Sequence, residues 1–124
     1  MGGSGKPGKT GKNGKGYAPG LDWSIRIVAI SQTLAGFKPD VLNAQVGDML
    51  QAQKFDIVTW GNTTNDVHQP IRTDNGQALC GPIAGGASSK PQFVVLDDVG
   101  TTIAYTCRYH QDEKGYIRVV PNFT

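Results

Sequence analysis

The run Tyr105-Thr106-Cys107-Arg108-Tyr109-His110-Gln111-Asp112-Glu113-Lys114-Gly115-Tyr116-Ile117-Arg118-Val119 decides how this chain reads. Thr102 to Thr106 and Tyr116 to Val120 are rich in β-branched and aromatic residues, so the run is two strands joined by a short connection. Within the connection, two residues separate Cys107 from His110, and Glu113 follows three positions later. The only other histidine, His68, lies upstream, just after Trp60-Gly61-Asn62-Thr63-Thr64.

One thiolate and two imidazoles form a donor set acceptable to both oxidation states of copper. A strand end fixes the sulfur of Cys107, and two intervening residues let the chain turn back so that His110 reaches the same point. His68 would come from another loop at that end. A Cys-x-x-His pair alone is a weak signal. Flanked by strands, with an upstream Trp-x-Asn and a histidine, it becomes a specific one. Two plainer readings stand beside it: ordinary loop histidines with a buried apolar cysteine, or a Cys80–Cys107 disulfide in an oxidising compartment. Glu113 also has two readings. Its side chain faces solvent near Lys114, or its carboxylate binds from the axial side, where a hard oxygen favours Cu(II) and lowers the potential.

Outward from this run the chain is a series of short strands: Ser24 to Ile30, Met49 to Gln53, Ile57 to Trp60 and Phe93 to Leu96. Gly36, Pro39 and Gly47 punctuate the early part, and a Gly/Pro/Ser-rich excursion covers Arg72 to Pro91. Cys80 reads as a spare thiol on that loop. Leu42, Val46 and Leu50 are spaced at four and hint at one helical turn, against Gly47. Trp60 and Phe93 read as core, and Asp97, Asp98 and Asp112 as solvated turn residues. The expected fold is all-β, an antiparallel sandwich or barrel.

Residues 1–16 hold glycine and lysine with almost nothing to bury, so a flexible tail is expected, followed by one domain over residues 17–124. The opening Met1-Gly2-Gly3-Ser4-Gly5 looks like a scar of expression. The formal charge of +2 owes much to the tail. Setting aside Lys6, Lys9, Lys12 and Lys15 leaves eight basic residues against ten acidic ones, which argues against a nucleic-acid surface. No apolar run is long enough to span a bilayer. Two cysteines are too few for a disulfide framework.

These residues resemble the cupredoxin family. Phe55-Asp56-Ile57-Val58-Thr59-Trp60-Gly61-Asn62 looks like the family's strand before the first ligand, with Phe55 where a glycine is usual. Tyr105 to His110 looks like its last strand and ligand loop, and Gly115 to Val119 like its final strand. The short spacing after Cys107 is similar to that of the amicyanins, with Glu113 standing at the axial methionine position. The resemblance implies a Greek-key β-sandwich binding one copper per chain through His68, Cys107 and His110, with Glu113 at the axial place. It implies a monomeric one-electron carrier between redox proteins, not an enzyme, in the periplasm or elsewhere outside the cytoplasm, with any signal peptide outside this sequence. His110 would present its ring edge near the surface. Pro70, Ile71, Pro82, Ile83 and Tyr109 would form an apolar rim, and Arg72, Arg108 and Lys114 would favour an acidic partner. Two other classes stay open: a copper storage, delivery or sensing module, and a small copper enzyme with an open coordination position.

Overall fold

A computed structural model describes residues 20–122. The expected tail over residues 1–16 lies outside the described residues. Eight strands follow in order: β1 (Asp22–Ala29), β2 (Ala35–Pro39), β3 (Met49–Gln53), β4 (Ile57–Asn62), β5 (Pro70–Arg72), β6 (Phe93–Val94), β7 (Thr102–Cys107) and β8 (His110–Val120). They form two four-stranded sheets, β2-β1-β4-β6 and β3-β8-β7-β5. The all-β expectation holds, but the sheets are mixed, since β1 runs parallel to β4 and β3 parallel to β8. No described residue is helical. The hinted turn fails because Leu42 is 90% exposed and buries no face, while Gly47 takes a left-handed φ of 87° that breaks a helix.

Period-two alternation makes the core. Ile103, Tyr105 and Cys107 point inward from β7, Glu113, Gly115, Ile117 and Val119 from β8, and Val58, Trp60 and Asn62 from β4. Trp60 bridges the sheets: its Nε1–H donates to Tyr105 Oη at 3.2 Å, and the two rings meet edge to face 5.5 Å apart. Burial pushes the Tyr105 hydroxyl pKa up. The Tyr105 ring lies over Gly115, its cross-strand partner, where any added Cβ would overlap it. Asp56, also buried, accepts hydrogen bonds from Leu21 N, Trp23 Nε1 and Gln53 N.

The Arg72 to Pro91 excursion is better tied than its composition suggests. Leu79, Cys80 and Ile83 are buried, and isolated bridges join Ile71 to Ala78 and Gly61 to Ser88. Cys80 is the expected free thiol on that loop, but it is buried in the core. Both cysteines are free, which excludes the Cys80–Cys107 disulfide here. Asp97 is no solvated turn residue either, since both its oxygens receive hydrogen bonds from the Arg72 guanidinium.

Candidate metal centre

The hairpin joining β7 to β8 has a two-residue turn, Arg108-Tyr109, and a register break just before it. Thr106 pairs with Lys114, so a regular ladder would set Cys107 opposite Glu113; instead Cys107 pairs with His110. Residues 111–113 are thus bulged out of the ladder. Such a bulge re-aims side chains. Here it lets His110 and Glu113 of one strand face the same sulfur. The expected last strand beginning near Gly115 starts at His110, and the bulge stands where a ligand loop was expected.

His68 comes from the connection between β4 and β5. Its backbone forms a two-hydrogen-bond bridge with Ile83, His68 N to Ile83 O at 3.1 Å and Ile83 N to His68 O at 2.8 Å. Pro70 pairs with Cys107 across β5 and β7, and Arg108 N donates to Gln69 O, so the two ligand segments are stitched together. Asn62 holds the intervening loop: its Nδ2 donates to the carbonyls of Asp66 and Ile83, and its Oδ1 accepts from Thr64 N and Thr64 Oγ1.

The four side chains singled out in the sequence come together. Their donor atoms all lie within 4.8 Å of one another, and together they could hold one metal ion. Cys107 Sγ is 3.5 Å from His68 Nδ1 and 3.8 Å from His110 Nδ1. Glu113 Oε1 lies 3.0 Å from His68 Nδ1, and Oε2 lies 3.6 Å from His110 Nδ1. His68, Cys107 and Glu113 are buried, while the His110 side chain is 37% exposed. The solvent-facing reading of Glu113 is overturned. Its Oε2 accepts the backbone N–H of Ala35 at 2.9 Å, which draws the side chain inward.

Proton accounting tests whether the group suits a cation. Thr64 Oγ1 lies 2.7 Å from Asn62 Oδ1, which can only accept, so the threonine hydroxyl donates there. Its lone pair then receives the Nε2–H of His68, 3.1 Å away. That places the proton of a neutral imidazole on Nε2 and turns Nδ1, the other ring nitrogen, toward the group. Glu113 Oε1 is buried and has no hydrogen-bond partner, although His68 Nδ1 lies 3.0 Å away. Two atoms able to bind a metal thus lie 3.0 Å apart in a buried place, beside the sulfur of Cys107, an arrangement that suits a cation. The Cys107 thiol is pushed up by burial, against which the backbone N–H groups of Gln69, Tyr109 and His110 act to lower it. Those same donors would stabilise a thiolate once a metal replaces the proton. The residues fit a thiophilic metal ion.

Sequence reasoning did not find Thr64 or the Ala35 amide. Thr64 stands four residues before His68 in the quoted Asn-Thr-Thr segment, so its role had a local signal. The contact to Ala35 spans 78 positions and had none.

The fold is a cupredoxin-type β-sandwich, and at one end it gathers four side chains that could hold one metal ion. Among solved structures, the chain is similar to a reduced Cu(I) form of a proline-to-glycine variant of amicyanin and to a Cu(I) form of a methionine-to-alanine variant of the same protein. Each has a TM-score of 0.53 and 16% identity, over 83% of this chain and 84% of the other. A second Cu(I) methionine-to-alanine variant of amicyanin gives a TM-score of 0.52 at 17% identity over 81% of both chains. At these identities the likeness is one of fold. No protein-family model matches the chain, and no curated protein does.

Proposed function

We propose that this protein is a one-electron carrier holding a single copper ion through His68, Cys107, His110 and Glu113. The observation that carries the reading is the convergence of two imidazoles, a thiol and a carboxylate within 4.8 Å at one end of a cupredoxin sandwich. Copper, when bound, supplies a one-electron couple between Cu(I) and Cu(II). The chain's own contribution is rigidity and access. The sheet and the Asn62–Thr64 network hold His68 and Cys107 in place, which limits rearrangement between oxidation states. The partly exposed His110 ring is the natural place for an electron to leave. The buried carboxylate favours the oxidised state, so a low potential is expected; a tight Cu(II) site would equally suit a storage or delivery module.

The partner would be another redox protein, met outside the cytoplasm as the cupredoxin resemblance implies. Its docking rim differs from the one expected. Pro70 and Ile83 are buried, and Arg72 is held by Asp74 and Asp97, so none of the three is available. Exposed Pro82, Val67 and Tyr109 with Arg108 and Lys114 remain around the hairpin.

Titration with Cu(II) tests the reading. An intense visible thiolate-to-copper band at one equivalent is expected, lost in Cys107→Ser and kept in Cys80→Ser. A band that survives in Cys107→Ser, or vanishes in Cys80→Ser, refutes the assignment. Reversible voltammetry of the loaded protein supports a carrier; an irreversible couple favours storage.

A further inference from the structure

A cleft of about 290 Å³ opens beside the donor group. One wall is the turn after β1, residues 31–34, and the facing wall is the segment 63–66 after β4. His68, His110 and Glu113 line it as well, and Cys107 does not, so a molecule inside meets the two imidazoles and the carboxylate without touching the sulfur. An electron carrier that works through an exposed imidazole has no need of such a space. The walls carry the hydroxyls and amides of Ser31, Gln32, Thr33 and Asn65. The buried, unpartnered Oε1 belongs to Glu113, one of the lining residues.

Charge selects the occupant. The lining holds Asp66 and Glu113 and no lysine or arginine. The thiolate of Cys107 and the carboxylate of Glu113 together cancel the charge of a dication, and Asp66 adds a further negative charge. An anion gains nothing by entering, whereas a neutral molecule with a nitrogen or oxygen lone pair meets hydrogen-bonding walls.

We propose that this cleft admits a small neutral nitrogen- or oxygen-donor molecule to the metal, giving the protein an exogenous-ligand site beside its redox centre. The inference rests on the metal-binding reading above and goes beyond it, because a carrier alone predicts a closed site.

Imidazole and azide are the probes, added to the Cu(II)-loaded full chain at a pH where imidazole is neutral. A saturable shift of the visible band and of the Cu(II) EPR spectrum with imidazole is expected, with azide roughly tenfold weaker or more. Thr33→Trp, at an exposed turn position, should fill the mouth and weaken imidazole binding by roughly tenfold or more. Asp66→Asn should narrow the gap between azide and imidazole and serves if the tryptophan variant does not fold. A loaded protein whose spectra ignore imidazole overturns the proposal, as does an unchanged response in Thr33→Trp. Bleaching of the band, meaning that imidazole merely extracts the metal, overturns it too. An azide-to-imidazole gap that Asp66→Asn leaves unchanged refutes the charge selection. If no visible band forms on loading, the copper reading itself fails and this inference falls with it.

Discussion

Glu113→Gln should act in opposite directions on the metal-free and the copper-loaded protein. Glu113 Oε2 accepts from Ala35 N at 2.9 Å, while Oε1 sits without a hydrogen-bond partner 3.0 Å from His68 Nδ1. A glutamine can keep its oxygen on Ala35 and turn its amide N–H toward Nδ1. One buried acceptor gains a donor and one orphaned oxygen disappears. A hydrogen bond of this sort contributes about 1 kcal/mol, and the relieved desolvation penalty about 1–3 kcal/mol, so a gain of that order is expected. For a domain of this size each kcal/mol moves the thermal midpoint by about 4–8 °C.

In the loaded protein the same change removes an anionic oxygen that favours Cu(II). The oxidised form loses affinity relative to the reduced one, and the potential rises by about 59 mV for each tenfold change. Thermal melts in chelator and with one equivalent of Cu(II), together with voltammetry, measure both effects. Glu113→Met sharpens the contrast. It leaves the Ala35 amide unpartnered, costing the metal-free protein about 1–3 kcal/mol, and raises the potential further by supplying a soft thioether. Stabilisation of the metal-free form by Glu113→Gln with no change in potential would leave Glu113 beside the metal but not bound to it. A metal-free midpoint that does not rise would show that Glu113 Oε1 is already satisfied in the native chain.

Two further predictions concern the scaffold. Gly115→Ala should destabilise by about 1–3 kcal/mol, because the added methyl meets the immovable ring of Tyr105; an unchanged thermal midpoint would show that the ring can give way. Burial pushes the Cys80 thiol from 9.0 up to about 11. Its protonated form is the one that suits the fold, so stability present below pH 9 is lost as the unfolded chain releases the proton first. Up to roughly 2–3 kcal/mol should go between pH 9 and pH 11 at about 1.4 kcal/mol per unit. Urea midpoints at pH 8 and 10.5 should therefore diverge more for the native chain than for Cys80→Ala; equal divergence would contradict the burial.

The donor set was legible because its chemistry is dense and mostly local: Cys107, His110 and Glu113 fall within seven residues, and the chain has only one other histidine. The strands were legible where apolar alternation is strong, as in β4, β7 and β8. β2 and β5 were not, because Gly36 and Pro39 obscure the pattern of β2, while β5 is a short strand opening on Pro70 whose partner, β7, lies far away in sequence. The unusual Phe55, placed where a glycine is expected, does adopt a left-handed φ of 76°, so its backbone follows the glycine pattern although its side chain does not. Part of the expected rim, Pro70, Ile83 and Arg72, is not free for docking, for a different reason. Apolar residues beside a site can be core as readily as surface, and arginines there can be spent on nearby acids, as Arg72 is on Asp74 and Asp97.

Glu113 was the hardest residue to place from the sequence, and the reason lies in the bulge. A regular β7–β8 ladder would have set Glu113 across from Cys107 and left His110 beyond the ladder. Three looped-out residues change this, and no side-chain pattern encodes them. The inward position of Glu113 is then held by a backbone amide of β2, a strand of the opposite sheet. The placement of the Glu113 carboxylate is therefore set by how the two sheets meet, not by the hairpin alone. The β1–β2 turn that leads to Ala35 also lines the cleft, so one element both positions the carboxylate and walls the space beside it. A change in that turn should thus alter, in the copper-loaded protein, both the potential read by voltammetry and the spectral response to imidazole.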